Sequence, residues 1–259
     1  WYQNVAVLST WALVEPERGV FDWSLMDKAV DGWAGLGKTI HLRFSTEDFG
    51  AKPGCPRWLF DMGVPYDERN FGAWAMRFPD YNNPVYRKEL SRFLKVFADH
   101  FADDPRIATV NLQGYGNFGE WHSWHNYVTV EKRVEALRGI VDAWRKAFAG
   151  RKLLNVSATY EWRSMDNVEE NTLPWGTSIY DEMPPSYADY LYRSAFDYAF
   201  ALPDIALSRH GVGGAAKYEY DGRLIANFFH LWRKPLFMEF FGNQHVFRGR
   251  SVVGFPTTE

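Results

Sequence analysis

The chain has 259 residues, with 29 Lys and Arg against 32 Asp and Glu, and a formal net charge of −3. This near balance argues against nucleic acid or an anionic membrane surface as the main partner. Hydrophobic residues make up 46% and charged residues 24%, which predicts a globular protein with a sizeable core and excludes disorder as the dominant state. The single cysteine, Cys55, excludes an internal disulfide framework. The sequence leaves secreted, periplasmic and cytoplasmic locations open.

The first half of the chain alternates short apolar segments with helical periods. We predict strands at 4–9, 39–44 and 107–112, because apolar and β-branched residues dominate these runs. A helix is predicted from Ser24 to about Gly35, and another from Pro84, a residue favoured at the first helical position, to about Asp104. The Pro- and Gly-rich stretch 47–83 has no sustained period, which predicts a long functional loop.

The second half continues the same alternation. We predict a helix ending near Gly150, helices at about 186–202 and 223–232, and strands at 153–157, 205–208 and 235–239, with 177–180 as a candidate further strand. Alternating strands and helices predict an α/β fold with a parallel sheet, and the number of units favours a (β/α)8 TIM barrel over an open sheet. We expect residues 1–259 to form a single barrel catalytic domain that lacks its first and last strands and is therefore incomplete at both ends.

Two carboxylates fall where a barrel places its active site, at the carboxyl ends of strands. Glu120 lies in a Gly- and aromatic-rich segment directly after the third strand, and Glu239 closes the sixth. A pair of carboxyl groups, one protonated and one ionised, is what cleavage of a glycosidic bond requires. Two structural alternatives stay open: an ion pair of Glu239 with Lys234, and a helix N-terminal position for Glu120.

Residues 4–23 resemble a segment of the retaining glycoside hydrolases of clan A, especially the family 42 β-galactosidases. In that segment a strand ends in Trp and is followed by Leu-x-Glu-Pro-x-x-Gly; here the run is Trp-Ala-Leu-Val-Glu-Pro-Glu-Arg-Gly. Pro-Gly-Cys-Pro-Arg-Trp-Leu at 53–59, Asn-Pro-Val-Tyr-Arg-Lys at 83–88 and Pro-Leu-Phe-Met-Glu at 235–239 are similar to later segments of the same enzymes.

The resemblance implies a retaining glycosidase in which Glu239 is the nucleophile and Glu120 the general acid/base. It places these residues on the seventh and fourth strands of the barrel. The family has Asn directly before its acid/base Glu, whereas Gly119 precedes Glu120 here, as in clan relatives with a Gly-Glu-Trp signature. The expected substrate is a β-linked galactoside or a related sugar in an oligo- or polysaccharide.

Further residues near predicted strand ends are candidates for binding the sugar. Aromatic residues make up 18% of the chain, and their rings suit stacking on the apolar faces of sugars, with core packing as the alternative. Arg43 is placed to keep Glu239 ionised, unless it forms a structural ion pair. The substrate-binding candidates are Trp11, Arg43, Asn117, Trp121, His122, Trp124, Tyr160, Tyr180 and His210.

Two other functions remain open at this point. His122 and His125 form a His-x-x-His pair near Glu120, which would suit a metal-dependent barrel hydrolase if a further ligand joined them. A non-catalytic carbohydrate-binding relative is the other alternative. For the favoured reading we expect a carbohydrate partner, no cofactor and no metal, and the sequence does not fix the sugar, the linkage or the oligomeric state.

Overall fold

The computed structural model describes residues 4–48, 53–71, 74–115, 130–157, 205–210 and 236–239. Its strands are β1 (Asn4–Thr10), β2 (Thr39–Ser45), β3 (Tyr66–Phe71), β4 (Trp74–Pro79), β5 (Ile107–Leu112), β6 (Leu153–Ser157), β7 (Ile205–His210) and β8 (Leu236–Glu239). Its helices are α1 (Trp11–Val14), α2 (Ser24–Gly35), α3 (Arg57–Asp61), α4 (Pro84–Phe101) and α5 (Val130–Phe148). In this part of the chain, no helix combines the length and the apolarity needed to cross a membrane.

Six of the strands form one parallel sheet in the order β1-β2-β5-β6-β7-β8. All six strands predicted from the sequence are present, and the predicted parallel pairing is confirmed. Apart from the β3–β4 hairpin, which lies between β2 and β5 along the chain, neighbours in the sheet follow one another in sequence, as they do when each connection crosses over one face. β6 pairs directly with β7, and the candidate strand at 177–180 lies outside the described residues.

Helix α4 shows why the predicted helices form where they do. The side chain of Asn83 accepts hydrogen bonds from the backbone N–H groups of Val85 and Tyr86, and Pro84 occupies the first turn, where no N–H is needed. Buried residues then recur at helical spacing and pack against the sheet and α5: Leu90, Phe93, Leu94, Phe97 and Phe101. The helices predicted at 186–202 and 223–232 lie outside the described residues.

The parallel sheet has one apolar and one polar face in its first three strands. Phe44 stacks on Phe93 of α4 with ring centroids 4.8 Å apart and contacts Phe97 in a tilted arrangement at 4.9 Å, so its side of the sheet is the helix face. On the opposite side, Nδ1 of His41 lies 2.7 Å from Oγ1 of Thr109 across the β2–β5 pair. We call this side the polar face. It follows that residues alternating with Phe44 along β2, such as His41 and Arg43, belong to the polar face.

The stretch 47–83 is more ordered than the sequence predicts. It contains the short helix α3 and an antiparallel hairpin in which β3 pairs with β4 from Tyr66–Pro79 to Phe71–Trp74. The guanidinium of Arg77 lies 4.8 Å from the centre of the Tyr66 ring, and its Nε donates to Glu68 at 2.9 Å. The prediction that the whole stretch is one long loop is therefore wrong, because charge pairs and ring contacts across the hairpin replace the apolar pattern that would have indicated its strands.

Candidate active site

The last residues of the six parallel strands define one edge of the sheet, which we call the carboxyl edge. Parallel strands all end on the same side, so Thr10, Ser45, Leu112, Ser157, His210 and Glu239 lie along this edge. The residues following β1 and β2 also lie there. Active sites of parallel α/β barrels are built at such an edge.

Arg43 lies on the polar face, two residues before the end of β2. The Cα register pairs it with Leu8 of β1 and with Asn111 of β5. Arg43 and Asn111 are 7% and 4% exposed, so both polar side chains are nearly buried close to the carboxyl edge. The structure thus places Arg43 where the sequence predicts it, near the end of its strand.

The register also locates Glu239, whose backbone is described at the end of β8. From Asn111 the pairing continues to Asn155 of β6 and then to Ala206 of β7. His210, four residues beyond Ala206, pairs with Glu239. Since positions alternate between faces with a period of two, Glu239 and His210 occupy polar-face positions on the same side of the sheet as Arg43.

Most of the remaining candidate site residues lie outside the described part of the chain, and Trp11 is the exception. Glu120 and the predicted sugar-binding residues Asn117, Trp121, His122, Trp124, Tyr160 and Tyr180 lie outside the described residues, as does His125. Within the described part of the chain, no three His, Cys, Asp or Glu side chains are grouped as a metal ion would require.

Trp11 follows the end of β1, but it is fully buried. Its ring stacks on Phe93 at 4.9 Å and meets the edge of Trp58 at 5.9 Å, while its Nε1 donates to Glu15 at 2.8 Å. These contacts correspond to the packing alternative and leave no ring face for a sugar in this structure. Trp11 and Glu15, which belong to the Trp-x-x-x-Glu part of the family motif described above, thus form a buried hydrogen bond just after the end of β1.

Glu47 is a carboxyl group at the carboxyl edge that the sequence analysis did not single out. It lies two residues beyond β2 and is fully buried. Thr46 donates to Oε1 of Glu47 at 2.9 Å, and Oε2 has no hydrogen-bond partner among the described residues. Burial raises the pKa of Glu47 to about 8, with the neighbouring Asp48 carboxylate acting in the same direction and the Thr46 hydrogen bond against it.

Asp48, the next residue, is buried with a full set of donors. Its Oδ1 accepts from the backbone N–H of Gly54 at 2.9 Å, and its Oδ2 accepts from Arg57 at 2.9 Å and from the backbone N–H of Arg77 at 3.0 Å. One carboxylate therefore ties the end of β2 to α3 and to the hairpin. Gly54 is required at this point, because a Cβ there would stand 1.5 Å from the carbonyl oxygen of Glu47.

Comparison with known proteins assigns the class of the chain. The sequence model of glycoside hydrolase family 42, described as beta-galactosidase, matches residues 3–152. This is more than half of the chain, and the chain belongs to that family. The resemblance drawn from the sequence motifs is thereby confirmed.

Curated relatives and solved structures agree with this assignment. The chain is 30% identical over 158 residues to a beta-galactosidase of Haloferax lucentense, covering 53% of the chain and 22% of the relative. It is 28% identical over 231 residues to a beta-galactosidase of Thermus thermophilus, covering 82% of the chain and 32% of the relative. The chain thus spans between about a fifth and a third of these proteins.

Likeness to a solved structure supports the fold. The catalytic domain of a beta-amylase from Paenibacillus polymyxa matches with a TM-score of 0.63 at 13% identity, covering 93% of this chain and 78% of that one. Endo-glycoceramidase II from Rhodococcus sp. matches with a TM-score of 0.50 at 14% identity, covering 92% of this chain and 65% of that one. These TIM-barrel neighbours support assignment of the parallel sheet to the barrel class.

Proposed function

We propose that the protein is a retaining glycoside hydrolase that cleaves β-linked galactosides or related sugars, with Glu239 as nucleophile and Glu120 as general acid/base. The observation that carries the proposal is the sheet register. It supports a polar-face position for Glu239 at the carboxyl edge, level with His210, in a chain that belongs to a beta-galactosidase family.

The order of the strands supports the pairing of these two residues. β5, after which Glu120 follows, and β8, which ends in Glu239, are the third and sixth strands of the sheet. This separation of three strands equals the separation between the fourth and seventh strands that the family resemblance implies. Residues 1–259 would then form one barrel catalytic domain whose six parallel strands correspond to strands two to seven of a (β/α)8 barrel.

In the proposed reaction, a carboxylate oxygen of Glu239 attacks the anomeric carbon while Glu120 gives its proton to the leaving oxygen. Water, deprotonated by Glu120, then releases the sugar from Glu239 with net retention of configuration. The reaction needs no cofactor. Arg43 stands on the same face of the sheet as Glu239, where a guanidinium favours the ionised form of a nearby carboxylate.

Substitution of each carboxylate tests the two roles separately. Glu239→Ala should lower turnover of an aryl β-galactoside by at least about 10³-fold, because the covalent intermediate cannot form. Added azide should restore product formation and yield the α-galactosyl azide, since azide enters from the side that Glu239 vacates. Glu120→Ala with azide should yield the β-azide from the glycosyl-enzyme instead.

A control and the stereochemistry of hydrolysis complete the test. Asp99→Asn removes a half-exposed carboxylate near the carboxyl-terminal end of α4 and should leave turnover unchanged. Proton NMR of the first product should show the β-anomer. An α-anomer as first product, or full activity of Glu239→Ala, would refute the proposed mechanism, and loss of activity on treatment with a chelator would favour the metal-dependent alternative.

A further inference from the structure

Glu47 is a buried carboxyl group for which the proposed reaction gives no role. Its side chain is fully buried, and its Oε1 accepts a hydrogen bond from the hydroxyl of Thr46 at 2.9 Å. Its Oε2 has no hydrogen-bond partner among the described residues. Such an environment favours the neutral form, because an ionised carboxylate is costly to bury without a cation or several donors.

Residues 53–57, which we call the 53–57 segment, pack against Glu47 and lead into α3. A Cβ on Gly54 would lie 1.5 Å from the carbonyl oxygen of Glu47, so the two backbones are in direct contact. The thiol of Cys55 is fully buried, and it lies close enough to Glu47 for that carboxylate to raise the pKa of the thiol. The segment therefore belongs to the enclosure of Glu47.

Hydrogen bonds hold the 53–57 segment in place without using the buried carboxyl group. The hydroxyl of Thr10 donates to the carbonyl oxygen of Pro53 at 3.0 Å, and the backbone N–H of Ala12 donates to that of Gly54 at 3.0 Å. The N–H of Gly54 in turn donates to Oδ1 of Asp48 at 2.9 Å. These bonds tie the segment to the ends of β1 and β2, and their number does not change when the carboxyl group gains or loses a proton.

The charged groups around this carboxyl offer no compensation for a negative charge. Among the described residues, the Asp48 carboxylate acts on it from its own segment, and the 53–57 segment contributes the thiol of Cys55 and the guanidinium of Arg57. That guanidinium is already bonded to Asp48 at 2.9 Å. Gly114, which packs on Thr46 from beyond the end of β5, has no side chain to titrate. An ionised group here would gain its solvation only from water.

From this arrangement we propose that Glu47 is a pH-sensitive latch at the carboxyl edge: in its neutral form it allows the 53–57 segment to pack closed, and once ionised it favours an open form in which water reaches the carboxylate. The latch goes beyond the proposed function and does not depend on it. The pKa of Glu47 is about 8 in the closed form, whereas a hydrated carboxyl has its ordinary value of 4.5. Opening is therefore coupled to release of one proton, becomes more favourable as pH rises from about 4.5 to about 8, and is independent of this group above that range.

Cys55 is a built-in reporter of the opening, because it is the single cysteine of the chain and is fully buried in the 53–57 segment. Its rate of labelling by an aromatic disulfide reagent is compared between wild type and Glu47→Gln at each pH. The ratio of the two rates should rise about tenfold or more from pH 6 to pH 8.

A direct electrostatic effect on the thiol has the opposite sign. An ionised Glu47 raises the pKa of Cys55 and leaves less of the reactive thiolate, so without opening the wild type should be labelled more slowly than Glu47→Gln as pH rises. A ratio that stays constant or falls between pH 6 and pH 8 would overturn the latch. Asp99→Asn is the matched control, because it makes the same change at a half-exposed carboxylate of α4; its labelling should follow the wild type.

Hydrogen exchange separates local opening from global unfolding and can be measured in the wild type alone. The amides of Ala12 and Gly54, which bond within the closed form, should exchange about tenfold faster at pH 8 than at pH 6 relative to those of Phe93 and Phe97 in α4. Taking this ratio cancels the intrinsic pH dependence of exchange, and in Glu47→Gln it should be constant. Equal acceleration of both sets of amides would mean that the charge acts through global unfolding, and the latch would be refuted.

Discussion

Among the residues that the structure describes, carboxyl groups are buried in two regions, and the surroundings of Glu89 in one region are opposite to those of Glu47 in the other. Between β1 and α4, Glu15 and Glu89 are 0% and 1% exposed, and each is met by a guanidinium. Arg92 donates to both carboxylates, and Arg18 donates to Glu89 at 2.9 Å. At the carboxyl edge, Glu47 is equally buried, but among the described residues its carboxyl group has only the hydroxyl of Thr46 as a hydrogen-bond donor.

The two regions consequently differ in the charge that they hold. Burial alone would raise the pKa of Glu89, but hydrogen bonds from Arg18 and Arg92 outweigh it, and the pKa of Glu89 is lowered. For Glu47 burial prevails and the pKa rises to about 8. The first arrangement stabilises the fold behind the sheet. The second keeps a neutral carboxyl group at the edge where the proposed chemistry takes place. Because no cation among the described residues pairs with Glu47 there, its burial lowers the stability of the folded state.

Removing Arg92 should produce the largest effect on stability. Arg92→Ala leaves Glu15 and part of Glu89 buried without their cation, and breaking a buried pair in this way typically costs about 3–5 kcal/mol. The free energy of unfolding from urea titration at pH 7 measures the loss. Lys95→Ala is the control, because Lys95 pairs with Asp99 on the surface; it should cost only about 0.3–0.5 kcal/mol. Similar losses for the two variants would mean that the Arg92 network is not a buried ion-pair system.

Glu47→Gln, unlike Arg92→Ala, should increase the free energy of unfolding, and the increase should depend on pH. The folded-state pKa of about 8 exceeds the ordinary value of 4.5, so the folded state holds its proton while the unfolded state releases it. Stability of the wild type therefore falls as pH rises from about 4.5 to about 8 and is constant with respect to this group outside that window. At pH 7 the relative gain for Glu47→Gln should be on the order of 3 kcal/mol.

The comparison to make is the difference in unfolding free energy between Glu47→Gln and wild type at pH 4, 7 and 9. It should grow between the first two values and level off above pH 8. A difference that does not vary with pH would show that Glu47 titrates normally and would end the contrast between the two regions.

The sequence predicts the strands of the parallel sheet and the helices beside it well, because the spacing of apolar residues within each segment indicates its secondary structure. In α4, buried residues recur every three or four positions, and in β2 the alternation of Leu42 and Phe44 with Arg43 identifies both the strand and its faces. The apolar pattern of the sequence does not predict the β3–β4 hairpin, for a physical reason. Its first strand reads Tyr-Asp-Glu-Arg-Asn-Phe, in which no apolar alternation is present, and its pairing depends on the antiparallel partner strand β4.

The candidate site is predictable only in part. Register confirms where Arg43 and the end of β8 lie, because these depend on strand pairing. The contrast between Glu47 and Asp48 is not in the local sequence: two adjacent acids differ because Gly54, Arg57 and Arg77 all converge on the second one. Burial of Trp11 likewise depends on Trp58 and Phe93, which are distant in sequence.

The smallest expected effect on stability comes from removing one of the three donors that bond to Asp48. Arg57→Ala removes one donor from Asp48, but the Arg57 side chain is 42% exposed and two backbone N–H donors remain. We expect a loss of about 1 kcal/mol in the free energy of unfolding, measured in urea at pH 7. Because Glu47→Gln replaces a neutral carboxyl group with a neutral amide, the loss on Arg57→Ala should be nearly the same in the Glu47→Gln background. A loss as large as that of Arg92→Ala would mean that the guanidinium, rather than the backbone donors, provides most of the stabilisation at Asp48, and the carboxyl edge would then depend on a paired cation just as the region between β1 and α4 does.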